Sequence, residues 1–386
     1  MTPSYDVAVL GLGAVGAAAA WRAAVRGHSV IGLEQFTAAH RRGSSHGGSR
    51  IFRRTMFEGR QYLPLIEQAA WLWHELAAES GAEVLCRCGG LCIGPENGRL
   101  IGEALRWADI GDVEVQQLST DELAGRFPQF AVRRGEVGVF EPDSGSLDPE
   151  LCISTMLDLA ADFGAELRFG ARVTALEHDD AAVRVGVGGE TIVARRAIVA
   201  TGAWFTELVP ELELPLRVQR SPLAWFTGTH DALFGPDRFP AFVWQGLGLD
   251  GCGTPAIDGR GVSVGAGPSA PKPWLNNAEG NDYPIDAADT DPVEEFVRRG
   301  LPLLTPKIAA AEPCMISRSP DGHFVLGISE RAPSLVLAGG FSGHGFKHAT
   351  ASGEVAVDLA IDGTSEIPLQ AFSPDRFGPT PTRIRG

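Results

Sequence analysis

The sequence predicts an α/β fold, α+β overall, in which a Rossmann-like dinucleotide-binding domain is interleaved with a mainly antiparallel-sheet domain. Three observations predict it. The amino terminus reads as strand, Gly-rich turn, helix, strand and acid. Between about residues 215 and 302 the pattern changes to short alternating strands broken by Gly and Pro, with no βαβ rhythm. After Cys314 the chain returns to strand, Gly-rich turn and helix. The length of 386 residues itself favours two domains.

The first unit carries the most local detail. Asp6 to Leu10 is a short apolar strand, and Gly11-Leu-Gly13-Ala-Val-Gly16 follows at once. Ala17 to Val25 is an alanine-rich helix, and Ser29 to Leu33 a second apolar strand ending in Glu34. Gly11 permits the tight turn, Gly13 lets backbone N–H groups approach a pyrophosphate, and Gly16 lets the helix pack on the strand. Glu34 lies 18 residues after Gly16, about where an acid reaches a ribose 2′-hydroxyl and disfavours a 2′-phosphate. These residues alone leave FAD and NAD both open. The loop from His40 to Arg54 is rich in Gly, Ser and Arg and includes Ser45, His46 and Arg50.

Further along, Pro64 to Ala78 has apolar residues at helical spacing. Asp148 caps a helix to Phe163, with Pro149 at its first position. Strands are expected over 167–177, which includes Val173, over 183–188 and over 191–200. The last runs into Ala200-Thr201-Gly202-Ala203-Trp204, a small-residue turn suited to a second backbone approach to a nucleotide. Residues 276–292 read as a polar, acidic surface loop. Ser334 to Ala338 is a strand, and His348 to Ile361 a helix after the Gly-rich turn. Cys86, Cys88 and Cys92 have no second Cys/His pair nearby and sit in a strand-like alternation, so no metal site is expected.

Composition excludes other classes. Hydrophobic residues make up 44% and charged residues 21%, a globular balance. A net charge of −15 opposes general binding to nucleic acid or anionic membrane. The longest nearly apolar run, Ala8 to Trp21, is broken by glycines and is shorter than the ~20 residues a spanning helix needs. Six sparse cysteines and the lack of an export signal point to a reducing cytoplasm. Only three of the 33 basic residues are lysines: Lys272, Lys307 and Lys347. A lysine inside a motif is therefore informative.

Over nearly its whole length the chain resembles the monomeric sarcosine oxidase and N-methyltryptophan oxidase group of the D-amino-acid-oxidase-like flavoproteins. The resemblance rests on the Gly11/Gly13/Gly16/Glu34 fingerprint, the 43–53 stretch, Glu58-Gly-Arg60-Gln-Tyr62 and Glu141-Pro-Asp-Ser-Gly145. It rests further on Ala200 to Trp204, Cys314-Met315 with His323-Phe324 and, most specifically, Gly340-Phe-Ser-Gly343-His344-Gly345-Phe346-Lys347. It implies an FAD domain (1–82, 148–212 and 318–386) and a substrate domain (83–147 and 213–317). It implies FAD joined covalently through the sulfur of Cys314, with the Gly340–Lys347 turn against the flavin and His46 and Arg50 beside its ring. Arg53 and Lys347 match the pair that holds the substrate carboxylate, and His344 matches a histidine near the flavin. A lysine at a helix start also points to an anionic ligand on physical grounds, since cations are disfavoured there.

One departure stands out. In the strand motif Gly261-Val-Ser263-Val-Gly265, Ser263 stands where the family has a lysine over the flavin, and Ala266 and Gly267 replace an aromatic residue and a histidine. That lysine is credited with activating oxygen, so the acceptor is left as O2 or another oxidant. The expected activity is oxidation of a C–N bond in an amino acid or other carboxylate-bearing amine by a monomer. The alternatives are an NAD-dependent dehydrogenase, which leaves Cys314 and the Gly340–Lys347 turn without a reason, and a non-catalytic flavoprotein or partner subunit.

Overall fold

The computed structural model describes residues 4–378 except 230, 247, 249, 268–271 and 280–283. One large sheet is built on the strand Tyr5–Leu10, which pairs in parallel with Val30–Leu33 on one side and with Glu190–Val199 on the other. Glu166–Arg168 extends the first edge, and Ala332–Gly339 joins Glu190–Val199, both in parallel. The central strands are apolar because both faces are covered. Helices Ala14–Val25, Leu63–Ser80, Pro149–Asp162 and Ala349–Ile361 pack on one face. The other face carries Val183, Val185, Phe205 and their neighbours.

Helix–helix contact here depends on small residues. A Cβ on Gly353 would lie 2.6 Å from Ala18 Cβ and 2.7 Å from Ala19 N, so the Ala14–Val25 and Ala349–Ile361 helices touch nearly backbone to backbone. This explains the alanine run read in the sequence. Both helices start at Gly-rich turns that open into the same cavity, so their packing sets the distance between those turns.

The second large sheet runs, in spatial order, Ala310–Glu312, Leu223–Phe226, Val262–Ala266, Gly251–Thr254, Ala241–Trp244, Gly90–Pro95, Glu136–Glu141 and Gln116–Leu118. All its pairings are antiparallel except that of Ala241–Trp244 with Gly90–Pro95. Phe130, Phe239, Phe242, Trp244 and Phe296 form its aromatic core, with Phe130 stacked on Phe239 at 5.0 Å. Two three-stranded sheets stand between the large ones. Arg50–Phe52 pairs with Gly145–Leu147, and Arg217–Arg220 pairs with Met315–Arg318.

The local expectations fail in three places. Residues 167–177 are two strands, Glu166–Arg168 and Val173–His178, separated by a turn with Gly170 at φ +66°. Residues 276–292 are not loop throughout: a helix, Ala287–Gly300, starts inside them. Asp286 and Asp289 form a reciprocal capping box, and Val293, Phe296 and Val297 bury one face, so Pro292 is tolerated early in the helix. The helix Arg99–Ile110 went unread although Leu100, Ile101, Ala104, Trp107 and Ala108 repeat at helical spacing. Gly102 and its charged neighbours masked that spacing.

Replacing Gly353 with Leu should destabilise the protein by about 1–3 kcal/mol or more through overpacking. Urea unfolding of Gly353→Leu against Gly353→Ala measures it, with the larger side chain costing more.

Candidate active site

A cavity of about 1110 Å³ lies between the two large sheets and is lined from Glu34 and Val173 at one end to Lys347 at the other. At the first end Gly11 has φ +87°, and a Cβ there would lie 2.8 Å from Ala200 O. A Cβ on Gly16 would overlap Gly11 O at 1.8 Å, so Gly16 is a packing glycine and does not line the cavity. Gly13 caps the Ala14–Val25 helix without any side-chain hydrogen bond, leaving backbone N–H groups free to face a ligand. Glu34 is oriented by two backbone donors, Leu12 N to Oε2 at 2.9 Å and Phe36 N to Oε1 at 3.0 Å. Ser45, Val173, Gly202 and Trp204 line the same end. A strained glycine turn, an uncapped helix start and an oriented acid on one wall fit a dinucleotide.

The middle of the cavity holds Arg50, Cys314 and the Gly340–Lys347 turn. Arg50 donates to the carbonyls of Ser49 and Ser44 at 2.7 and 2.9 Å. Cys314 is buried, and its thiol faces Gly43 O at 3.8 Å. Burial pushes that thiol up, against the pull of Arg50. In the turn, Gly340 and Gly343 have φ +61° and +91°, and Ser342 joins them at +53°. A Cβ on Gly345 would lie 2.5 Å from Phe341 Cβ. These positions fit the close approach of a planar group to backbone.

His46 is placed differently from the sequence expectation. It is fully buried and does not line the cavity. Its nearest acid is Glu312, with Nδ1 3.5 Å from Oε2. Burial, reinforced by Arg50, pushes its pKa down to about 4. Near neutral pH it carries no charge into the site.

At the far end three buried charges converge. Arg53 follows the Arg50–Phe52 strand, and its Nη2 donates to Glu58 Oε1 at 2.9 Å. Lys347 Nζ donates to the same oxygen at 2.5 Å. Arg53 Nη1 donates to Thr55 O, and its guanidinium lies over the Phe57 ring at 4.2 Å. Glu141 accepts from Arg54 N, Thr55 N and Thr55 Oγ1, fixing the backbone beside Arg53. Trp73 Nε1 donates to Lys347 O at 3.0 Å. Burial alone would push the Glu58 carboxyl up, but Arg53 and Lys347 hold it well below the usual range. Burial, then Arg53, pushes Lys347 down to about 8 despite Glu58.

His344 lines the cavity next to this cluster. Its Nε2 lies 3.1 Å from Gly322 O, an acceptor only, so Nε2 carries the proton. Its ring stacks on Phe324 at 4.8 Å, and Nδ1 is buried without a hydrogen-bond partner. Burial pushes its pKa to about 4, leaving a neutral imidazole with a free lone pair. Ser263 lines the cavity from the antiparallel sheet, opposite Thr254. Among the described residues no cluster of metal-ligating side chains occurs and no helix is long and apolar enough to cross a membrane.

Sequence reading missed Glu58 as a site residue and Lys272 as a residue of the cavity wall. Glu58 stands at the head of the Glu58–Tyr62 motif, but an acid five residues from an arginine does not show that both are buried. Lys272 lines the cavity; in the sequence it is the lysine nearest Ser263, nine residues on, and that spacing alone gives it no role.

The profile of the family described as DAO, FAD dependent oxidoreductase, matches residues 6–359. A monomeric sarcosine oxidase of Streptomyces avermitilis is 35% identical over 99% of this chain and 100% of its own. An N-methyl-L-tryptophan oxidase of Salmonella arizonae is 33% identical over 97% of this chain and 99% of its own. Among solved structures, NikD, an amino acid oxidase of nikkomycin biosynthesis, superposes with a TM-score of 0.81 at 25% identity over 97% of this chain and 98% of that one. The L-proline dehydrogenase of P. horikoshii gives 0.84 at 19% identity over 98% of each chain, which shows the shared fold.

Replacing Glu58 with Gln leaves two buried cations without an anion and should cost about 3–5 kcal/mol. Denaturant unfolding measures it, and an unchanged midpoint would mean that the three charges do not stabilise one another.

Proposed function

The chain belongs to the FAD dependent oxidoreductase (DAO) family, and on that premise we propose that its substrate is an amino acid carrying a secondary, N-methyl or N-alkyl, amine. The protein is an enzyme that uses FAD to oxidise amines. The observation that carries the substrate reading is the convergence of Arg53 and Lys347 on one carboxylate oxygen, that of Glu58, at the end of the cavity.

Gly11, Gly13, Glu34, Ser45, Val173, Gly202 and Trp204 would hold the nucleotide of FAD. Arg50, Cys314, Gly340, Gly343, Gly345 and Phe346 would hold its flavin, with a thioether through Cys314. Bound FAD supplies the two-electron oxidation, accepting hydride from the carbon next to nitrogen. The protein's part is orientation and charge. Arg53 and Lys347 bind the substrate carboxylate, a guanidinium giving paired N–H donors and an ammonium a point charge. The Nδ1 lone pair of His344 accepts the amine N–H and fixes which face the nitrogen presents. Once oxidised, an exocyclic N-alkyl group hydrolyses to an aldehyde and the dealkylated amine, while a cyclic substrate keeps its imine or opens. Ser263 supplies no cation, so the acceptor is O2 or another oxidant.

The domain division at 1–82, 148–212 and 318–386 against 83–147 and 213–317 belongs to the same proposal and fits the two large sheets. We also place the enzyme in the cytoplasm as a monomer. The six cysteines form no disulfide, and the named Streptomyces relative is monomeric.

Anaerobic mixing with a panel of N-methyl amino acids should bleach the flavin, and no bleaching across the panel would reject the substrate reading. Lys347 is charged below about pH 8, so affinity for an unreactive carboxylate should be flat at lower pH and fall as pH rises through that value. Lys347→Arg should remove this limb, because arginine stays protonated. Lys347→Met should raise Kd by roughly tenfold to a hundredfold, the value of a charged hydrogen bond. His344 should contribute no limb between pH 6 and 9. Acid precipitation should leave yellow colour in the pellet of the wild type and in the supernatant for Cys314→Ala.

A further inference from the structure

The cavity carries a second pair of cations that the Arg53–Lys347 anchor does not use. Lys272 and Arg318 both line it, from the three-stranded sheet that holds Arg217–Arg220 and Met315–Arg318 and from the segment beside it. Lys272 Nζ donates to Ser221 Oγ at 3.1 Å. Arg318 donates through Nε to Gln219 Oε1 at 2.6 Å and through Nη1 to Ser342 O at 3.3 Å. Gln219 is itself fixed, since its Nε2 donates to Lys272 O at 3.2 Å. Every one of these partners is neutral. Among the described residues no carboxylate forms an ion pair with either cation, whereas Arg53 and Lys347 share Glu58.

Holding charge in a cavity wall without a counter-ion is costly, and a ligand anion relieves the cost. Burial pushes the pKa of both groups down, and Arg318 lowers Lys272 further. The neighbourhood is also continuous with the first anchor. Cys252, Lys272, Arg50 and Arg53 line the same cavity. Around it the wall is made of small residues, Cys252, Ser263, Gly265 and Ala266. Ser221, which holds the ammonium, donates its N–H to Cys314 O at 2.8 Å. Lys272 therefore lines the cavity on the side of Cys252 and Cys314, and Glu58 is not among its hydrogen-bond or ion-pair partners.

We propose that Lys272, backed by Arg318, forms a second anion subsite that takes an acidic group on the substrate's side chain or N-substituent. The substrate would be a dicarboxylic amine, with one carboxylate on Arg53 and Lys347 and the other on Lys272. This rests on the amino-acid reading above and narrows it.

The test is a titration of oxidised holoenzyme, followed by the perturbation of flavin absorbance, with unreactive acids in matched pairs: butyrate against succinate, pentanoate against glutarate, and hexanoate against adipate. In wild type at least one dicarboxylate should bind tenfold or more tightly than its monocarboxylate partner. Lys272→Met should abolish that preference and leave the monocarboxylate Kd within about twofold, and Lys272→Arg should retain it. No preference in wild type at any length overturns the subsite even if the variants fail to fold, as does a preference that survives Lys272→Met. Monocarboxylates that do not bind wild type at all would instead strike the Arg53–Lys347 anchor.

Discussion

The buried meeting of Arg53 and Lys347 at Glu58 is the constraint on which the rest depends. Two cations from distant parts of the chain cannot lie together out of water unless something anionic separates them. The fold supplies Glu58 for that purpose and spends several devices on precision. Glu141 pins the backbone at residues 54 and 55, Phe57 supports the guanidinium, and Trp73 fixes the carbonyl of Lys347. Burial and Arg53 push the Lys347 pKa down to about 8, and Glu58 opposes them.

The same geometry ties the two sheets together. Arg53 is delivered by a strand that pairs with Gly145–Leu147, and Lys347 by the Gly-rich turn before the Ala349–Ile361 helix. That helix packs against the Ala14–Val25 helix through Gly353. The spacing between the Gly11–Gly13 turn and the Gly340–Lys347 turn thus depends on this helix packing. Neutral His344 lines the same cavity, held by Gly322 and Phe324, with one lone pair left for a donor.

Much of this was legible before any coordinates. The apolar strand, Gly-rich turn, alanine-rich helix and second strand read from the sequence are present as Tyr5–Leu10, the turn at Gly11 and Gly13, Ala14–Val25 and Val30–Leu33. Arg53, Lys347, His344, Cys314 and Ser263 were named from motif resemblance and all line one cavity. What the sequence hid was burial. His46 reads as a polar loop residue beside a cofactor, yet it is sealed behind the wall and neutral. Glu58 and Lys272 owe their importance to partners 289 and 51 residues away, Lys347 and Ser221. No local pattern reports such pairings. The helix starting at residue 287 is hidden because residues 276–292 are polar and acidic and read as a surface loop, whereas two of those acids, Asp286 and Asp289, form the capping box that starts it.

The central claim is that carboxylate recognition by Arg53 and Lys347 presents an amine for oxidation. The most direct measurement is the anaerobic rate of flavin bleaching with an N-methyl amino acid and with its primary amide, which keeps the shape and loses the charge. The account predicts rapid, saturable bleaching by the acid and bleaching by the amide slower by a hundredfold or more. Equal rates for the two would contradict it.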